Sequence, residues 1–290
     1  MSIGRKFIPV KITDKKWADR FVQGEVFMRA LADFGVWNRL QNIENSKINN
    51  NFRGDLREAT VRHVEENFER EQFLQGMDPE FVNAIKTVDY IDYSDMQYFK
   101  LFCLYNLYLY YNEKSGTFED PDEQLASFGD TAVIITDMEA FIKRFLIALL
   151  AKEDKSNTHF IPVANIVEYY APETADIKTP LFHKTNSYAW QNELRIAIGE
   201  LDIHNKFLMS PDQRYPLIQS TDPILLNIGS IEDITLQIPV QDFISLNLPT
   251  ELPKRCVEIT PTSLLGKIID ETQQQFKNYV PMQTKLIFTI

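Results

Sequence analysis

The stretch "SYAWQNELRIAI" (187–198) sets Gln191, Glu193 and Arg195 at alternate positions. In a strand, side chains two apart share a face and lie about 7 Å from one another. The types are those of electrostatic chemistry. A carboxylate can stabilise positive charge developing on a substrate, and a side chain two residues earlier can touch a second reactant. The bland alternative is an Arg-paired or solvated carboxylate on a sheet face. Read with period two over the whole stretch, Tyr188, Trp190, Leu194, Ile196 and Ile198 face one way and the polar residues the other, which predicts a half-buried strand. A second pair, Lys11 and Thr13, shares a face of an earlier strand, "FIPVKIT" (7–13), whose Ile8, Val10 and Ile12 face oppositely.

The elements that must position these residues are mixed. Thr13 or Asp14 can cap a helix over "KKWADRFVQ", Gly24 ends it, and "EVFMRAL" (25–31) reads as a second strand. Residues 36–60 read as a long loop, with Asn38, Asn42, Asn45, Asn49, Asn50 and Asn51 favouring turns. "DPEFVNAIKTV" (78–88) opens as a helix, with Asp78 as cap and Pro79 in the first turn. The Tyr- and Phe-rich run 96–111 favours strand over helix and reads as one long strand or a strand and a turn. "TAVIITD" (131–137) reads as a strand, and Asp137 caps a helix over 138–152 with a broad apolar face. Strand-rich segments follow at 159–171 and in "FLMS", "PILLNIGS" and "DITLQIPV", and a closing helix at 262–280. The order does not alternate as in a doubly wound sheet. It predicts an α+β fold of mixed sheets with flanking helices. One domain is expected over 1–290, its core at 5–200 and a strand and helix extension at 201–290.

Composition removes several function classes. The net charge of −11 disfavours stable nucleic-acid binding, which needs a basic patch for phosphates. The longest charge-free apolar run, "FLIALLA" (145–151), is far short of the roughly 18–20 residues of a membrane span. No signal peptide is evident, and Cys103 and Cys256 read as reduced core residues, so a cytoplasmic protein is expected. There is no Walker loop, no GxGxxG opening a helix and no GxSxG elbow. His63, His159, His183 and His204 have no zinc spacing, so no metal is predicted.

The first strand, the helix ending in Gly24, the second strand and "QNE" together resemble the plan of ADP-ribosyltransferase-like domains. In that family an early strand bears a cation and a nearby hydroxyl, and a late strand carries the catalytic Glu as ExE or QxE. The chain also resembles a broad group of bacterial domains found near phage-defence or toxin genes. The matching features there are "FRGDLREAT" with Arg53, Gly54, Asp55 and Glu58, then "IVEYY" (166–170), Lys184 and "QNELRI" (191–196). The resemblance is diffuse and spans roughly residues 5–200. It implies NAD as substrate, Glu193 and Gln191 as the catalytic pair, and Lys11, Thr13, Arg53, Asp55, Glu58 and Lys184 around the NAD. Cleaving the nicotinamide bond builds an oxocarbenium-like ribose, which a carboxylate at Glu193 would stabilise. Lys11 would hold a diphosphate or ribose oxygen, assisted by Thr13. It stands where such transferases usually have Arg or His. The acceptor would be a macromolecule, protein or nucleic acid. A non-catalytic binding or sensor protein of the same fold remains the alternative, and a nuclease-like toxin a weaker one.

Overall fold

The computed structural model describes residues 6–34, 60–64, 87–92, 95–112, 115–153, 158–171, 180–202, 218–258, 266–268 and 284–289. The fold is α+β. Strand β1 (Lys6–Thr13) leads through helix α1 (Lys15–Val22) to β2 (Glu25–Ala30). Then come β3 (Thr60–Val64), β4 (Thr87–Asp92), the long β5 (Lys100–Asn112), β6 (Ser115–Phe118) and β7 (Thr131–Ile135). Helix α2 (Met138–Glu153) is followed by β8 (Thr158–Ile166), β9 (Glu168–Tyr170), β10 (His183–Thr185) and β11 (Glu193–Asp202). The order ends with β12 (Ile224–Asn227), β13 (Thr235–Pro239), the short helix α3 (Val240–Ile244), β14 (Val257–Glu258) and β15 (Thr284–Thr289). Ten of these strands form the main sheet, β9 and β10 make a parallel pair, and β3, β4 and β15 a three-stranded sheet.

The main sheet is organised around β5. Leu101 lies opposite both Arg29 of β2 and Ala197 of β11, so those strands flank β5 on opposite edges. Tyr105 lies opposite both Val10 of β1 and Glu193 of β11. β1 and β2 therefore share one edge of β5, β2 at residues 100–101 and β1 at residues 105–109. Between them, residues 102–104 have no register partner on that edge among the described strands. The sheet is split there, and a split sheet leaves backbone polar groups that something else must satisfy.

Both faces of the sheet are covered, which is why β1 is buried on either side. Phe7, Phe102, Leu104, Leu194, Ile196 and Ile198 join α1 and α2 in one apolar cluster. Ile8, Val10, Ile12, Tyr105 and Leu107 pack on the other face against Leu125, Val240 and Phe243. α2 supplies Phe141, Phe145 and Leu149, and each such side chain contributes about 1.5–3 kcal/mol of transfer free energy. Phe141 sits among the rings of Phe21, Phe102 and Phe145. Gly24 ends α1 with φ +101°, and a Cβ there would collide with the Gly229 carbonyl, so that turn requires glycine.

Two local readings of the sequence are corrected. The strand expected over 187–198 begins only at Glu193. Residues 186–191 form a 3₁₀ turn, closed by a bond from Asn192 N–H to the Ala189 carbonyl, and Asn192 takes the left-handed conformation at φ 38°. Tyr188 and Trp190 therefore do not continue the apolar face of β11. The expected cap at α1 is also different: Asp14 makes no side-chain cap bond, and Asp130 Oδ1 accepts from Lys15 N–H at 2.7 Å instead. The aromatic run is a turn and a strand, one of the two forms expected: a 3₁₀ turn over Asp95–Tyr98 and then β5 from Lys100. Asp137 does cap α2, accepting from Ala140 N–H at 2.9 Å. The Asn-rich loop at 36–60, except Thr60, the start of the helix expected at 78–88 and "FLMS" lie outside the described residues. So does the closing helix, apart from 266–268.

Candidate functional site

The split in the sheet is the floor of a cavity of about 270 Å³. Lys11 and Thr13 of β1 line one wall, Phe27 and Arg29 of β2 another, and Phe102, Cys103 and Leu104 the floor between them. Lys184, Gln191, Glu193 and Arg195 complete the lining. Five residues singled out from the sequence thus meet at one cavity: Lys11, Thr13, Lys184, Gln191 and Glu193. Arg53, Asp55 and Glu58 lie outside the described residues.

Glu193 is not on a half-exposed stripe, as the alternation suggested, but is 5% exposed. Its face of β11 looks into the covered cavity and not into solvent. A buried carboxylate needs partners, and it has them. Arg195 Nε donates to Oε1 at 3.0 Å and Arg195 Nη2 to Oε2 at 3.4 Å. Lys184 Nζ is 2.7 Å from Oε2. Burial alone would raise the pKa of Glu193, but the charges of Arg195 and Lys184 outweigh it and hold the carboxyl well below its usual range. The carboxylate is therefore ionised at neutral pH.

Each partner is itself positioned by local structure. The parallel pairing of β9 and β10 sets Lys184 beside Tyr169. Lys184 Nζ also donates to Gln191 Oε1 at 2.7 Å, so one ammonium joins the amide and the carboxylate. Tyr169 Oη accepts from Glu193 N–H at 2.9 Å, fixing the first residue of β11 just after the left-handed Asn192. Arg195 is 1% exposed, and its Nη1 donates to the Leu181 carbonyl at 2.7 Å. An Arg-paired carboxylate, the bland alternative for Glu193, is the arrangement found, with Arg195 as the partner.

Lys11 enters the same cavity from β1. Its Nζ donates to the Cys103 carbonyl at 2.9 Å, within the stretch of β5 that lacks a strand partner on this edge. It also lies 4.8 Å from the centroid of the Phe102 ring. Burial lowers its pKa, while Cys103 and the charge of Glu193 pull the other way. Cys103 is surrounded by the same groups: burial, then the charge of Glu193, push its thiol up to about 12. Sequence reasoning placed Cys103 in the core and did not connect it to the site. The pairing of Cys103 with Arg195 across β5 and β11 is a register fact that only the fold reveals. The rings of Phe128 and Trp190 meet at a tilt, their centroids 5.5 Å apart, joining two 3₁₀ segments beside the cavity.

Among the described residues no group of three or more His, Cys, Asp and Glu side chains is placed to hold a metal ion. No helix among them is long and apolar enough to cross a membrane. Comparison with known proteins gives no significant match to any family model, curated protein or solved structure.

Proposed function

We propose that the chain is an ADP-ribosyltransferase-like enzyme that cleaves NAD and moves ADP-ribose to a macromolecular acceptor, protein or nucleic acid. The observation that carries this reading is the meeting of an ionised Glu193, Gln191 and Lys11 at one cavity where β1 and β2 part. Lys11 lies on β1, and Gln191 and Glu193 lie 180 and more positions later, at the end of a 3₁₀ turn and the start of β11, yet all three line the opening between β1 and β2. The cavity volume of about 270 Å³ is just under the usual range for small-molecule sites, about 300–1,000 Å³. It suits the nicotinamide–ribose end of NAD and not the whole dinucleotide.

In this reading Glu193 stabilises the positive charge that builds on the ribose as nicotinamide leaves. Gln191 contacts the acceptor. Lys11 and Thr13 hold ribose or diphosphate oxygens, and Lys184 orients the Gln191–Glu193 pair. Arg53, Asp55 and Glu58 are proposed ligands on the strength of the resemblance alone. The setting proposed is the cytoplasm, as an effector in phage defence or a toxin. Labelled NAD incubated with the protein and cell lysate tests the reading: nicotinamide release with label on a macromolecule supports it, and neither product under any lysate refutes it.

A second reading is supported by one observation. Both oxygens of Glu193 are already engaged by Arg195 and Lys184. A carboxylate so held can be a purely structural anion. The cavity would then bind a nucleotide without turnover, as a sensor or partner module. Saturable NAD binding with no nicotinamide release would select this reading.

A further inference from the structure

The cavity carries more positive charge than its carboxylate balances. Among the described residues that line it, Lys11, Arg29, Lys184 and Arg195 are cations and Glu193 is the one acid. Four cations less one acid leave a surplus of three positive charges there, in a chain whose net charge is −11. A concave wall of one sign focuses the field and gathers counter-ions from solvent.

Two of these cations flank the split in the sheet. Arg29 lies opposite Leu101, so it shares the face of β5 that carries Cys103 and, beside Tyr105, Glu193. It is exposed at the rim, its guanidinium 5.7 Å from the centroid of the Phe27 ring, and Phe27 is itself 50% exposed. Lys11 arrives from the opposite face. Val10 is the residue level with Tyr105, so Lys11 points the other way, over the Phe102 ring. Its ammonium ends at the edge of β5, where it donates to the Cys103 carbonyl at 2.9 Å. That bond uses one of the ammonium's three donors. Burial disfavours the charge on Lys11, and an anion in the split would offset that cost. The backbone adds a further donor. The N–H and C=O of one strand residue point to the same edge. The Cys103 N–H therefore also points into the split, where Cys103 has no register partner among the described strands.

We propose that the split is a binding site for a small oxyanion, a carboxylate or phosphate ester, carried on a flat aromatic body. The oxyanion sits between Arg29 and Lys11, within reach of the Cys103 N–H. The planar guanidinium of Arg29 matches two oxygens of such a head through paired hydrogen bonds. The body lies in the cavity against Phe27, Phe34 and Phe128, which line it on the Glu193 side. Glu193 is already held by Arg195 and Lys184 and does not compete for the ligand's place. This proposal does not rest on the NAD reading, although it uses the same cavity.

Calorimetric titration with benzoate and phenyl phosphate tests it, with benzyl alcohol and benzylamine as neutral and cationic controls bearing the same ring. At least one anion is expected to bind about tenfold or more tighter than benzyl alcohol, with benzylamine weakest. The tighter of the two anions identifies the head group. Arg29→Gln, at an exposed position, is expected to keep the fold, checked by circular dichroism. It should weaken the tighter anion by about tenfold and leave benzyl alcohol unchanged. Anions that bind no tighter than benzyl alcohol would overturn the proposal. Anion binding that Arg29→Gln leaves untouched would overturn the assignment to the split. Anion binding by a protein that never releases nicotinamide would leave this proposal standing and remove the transferase reading; nicotinamide release without anion binding would do the reverse.

Discussion

Glu193→Gln takes one negative charge from a wall where two buried cations are held against it. Lys184 and Arg195 are 7% and 1% exposed, and both lie within 3.0 Å of a Glu193 oxygen. The amide can accept from one of them, but its NH₂ then meets a donor. Breaking a buried ion pair from one side costs about 3–5 kcal/mol. At roughly 2–3 °C per kcal/mol for a chain of this size, the melting temperature should fall by about 6–15 °C. This is far from the 0–1 kcal/mol of an exposed pair, the value that a solvent-facing stripe would have implied. The effect has a pH signature. The folded pKa of Glu193 is depressed, so its contribution is complete above the unfolded value of about 4.3 and fades as pH falls through the lower folded value. The stability gap between wild type and variant should therefore be constant from pH 8 to about 5 and shrink in stronger acid. If Glu193 stabilises the ribose cation, nicotinamide release should also fall by at least about two orders of magnitude, measured well below the variant's melting temperature. A melting temperature changed by less than about 2 °C at pH 7 would refute the buried-pair argument, and a folded variant with full turnover would remove Glu193 from the chemistry.

Three further outcomes follow from packing and burial. Phe141→Ala should cost about 3–5 kcal/mol in urea denaturation, since Phe141 is fully buried among three aromatic rings; a loss under 1 kcal/mol would contradict the packing. Asn106 is 0% exposed, and neither of its side-chain amide atoms has a hydrogen-bond partner among the described residues. Asn106→Leu should therefore raise stability by about 1–2 kcal/mol, and a destabilised variant would show that the amide has a partner in solution. Burial pushes the thiol of Cys103 up to about 12 and that of Cys256 up to about 11. Iodoacetamide at pH 8 should leave both unmodified in the native protein and alkylate both after unfolding.

The regular elements were legible where local chemistry determines them. β1, α1 and β2 follow from alternation, helix periodicity and Gly24, and α2 from the Asp137 cap and its apolar face. The start of β11 was not legible, because "SYAWQ" alternates well enough to pass for strand. What decides it is Asn192 in the left-handed region, held by its neighbours, and Tyr169 gripping the next N–H. Alternation alone left open whether the polar residues meet solvent or a cleft. They face a cavity because β1 and β2 share one edge of β5, and no local pattern encodes that topology. Lys184 was visible only through the resemblance; its bonds to Gln191 and Glu193 depend on the β9–β10 pairing.

Protection of Lys11 by NAD tests the central claim most directly, because it reports binding and its location together. Formaldehyde with a borane reductant methylates lysines throughout the native protein, and peptide mass mapping gives the rate at each. If NAD occupies the cavity, methylation of Lys11 should slow by roughly tenfold or more once NAD is well above its dissociation constant, while Lys143 on α2 reacts at an unchanged rate. A Lys11 rate that NAD leaves untouched would contradict the account.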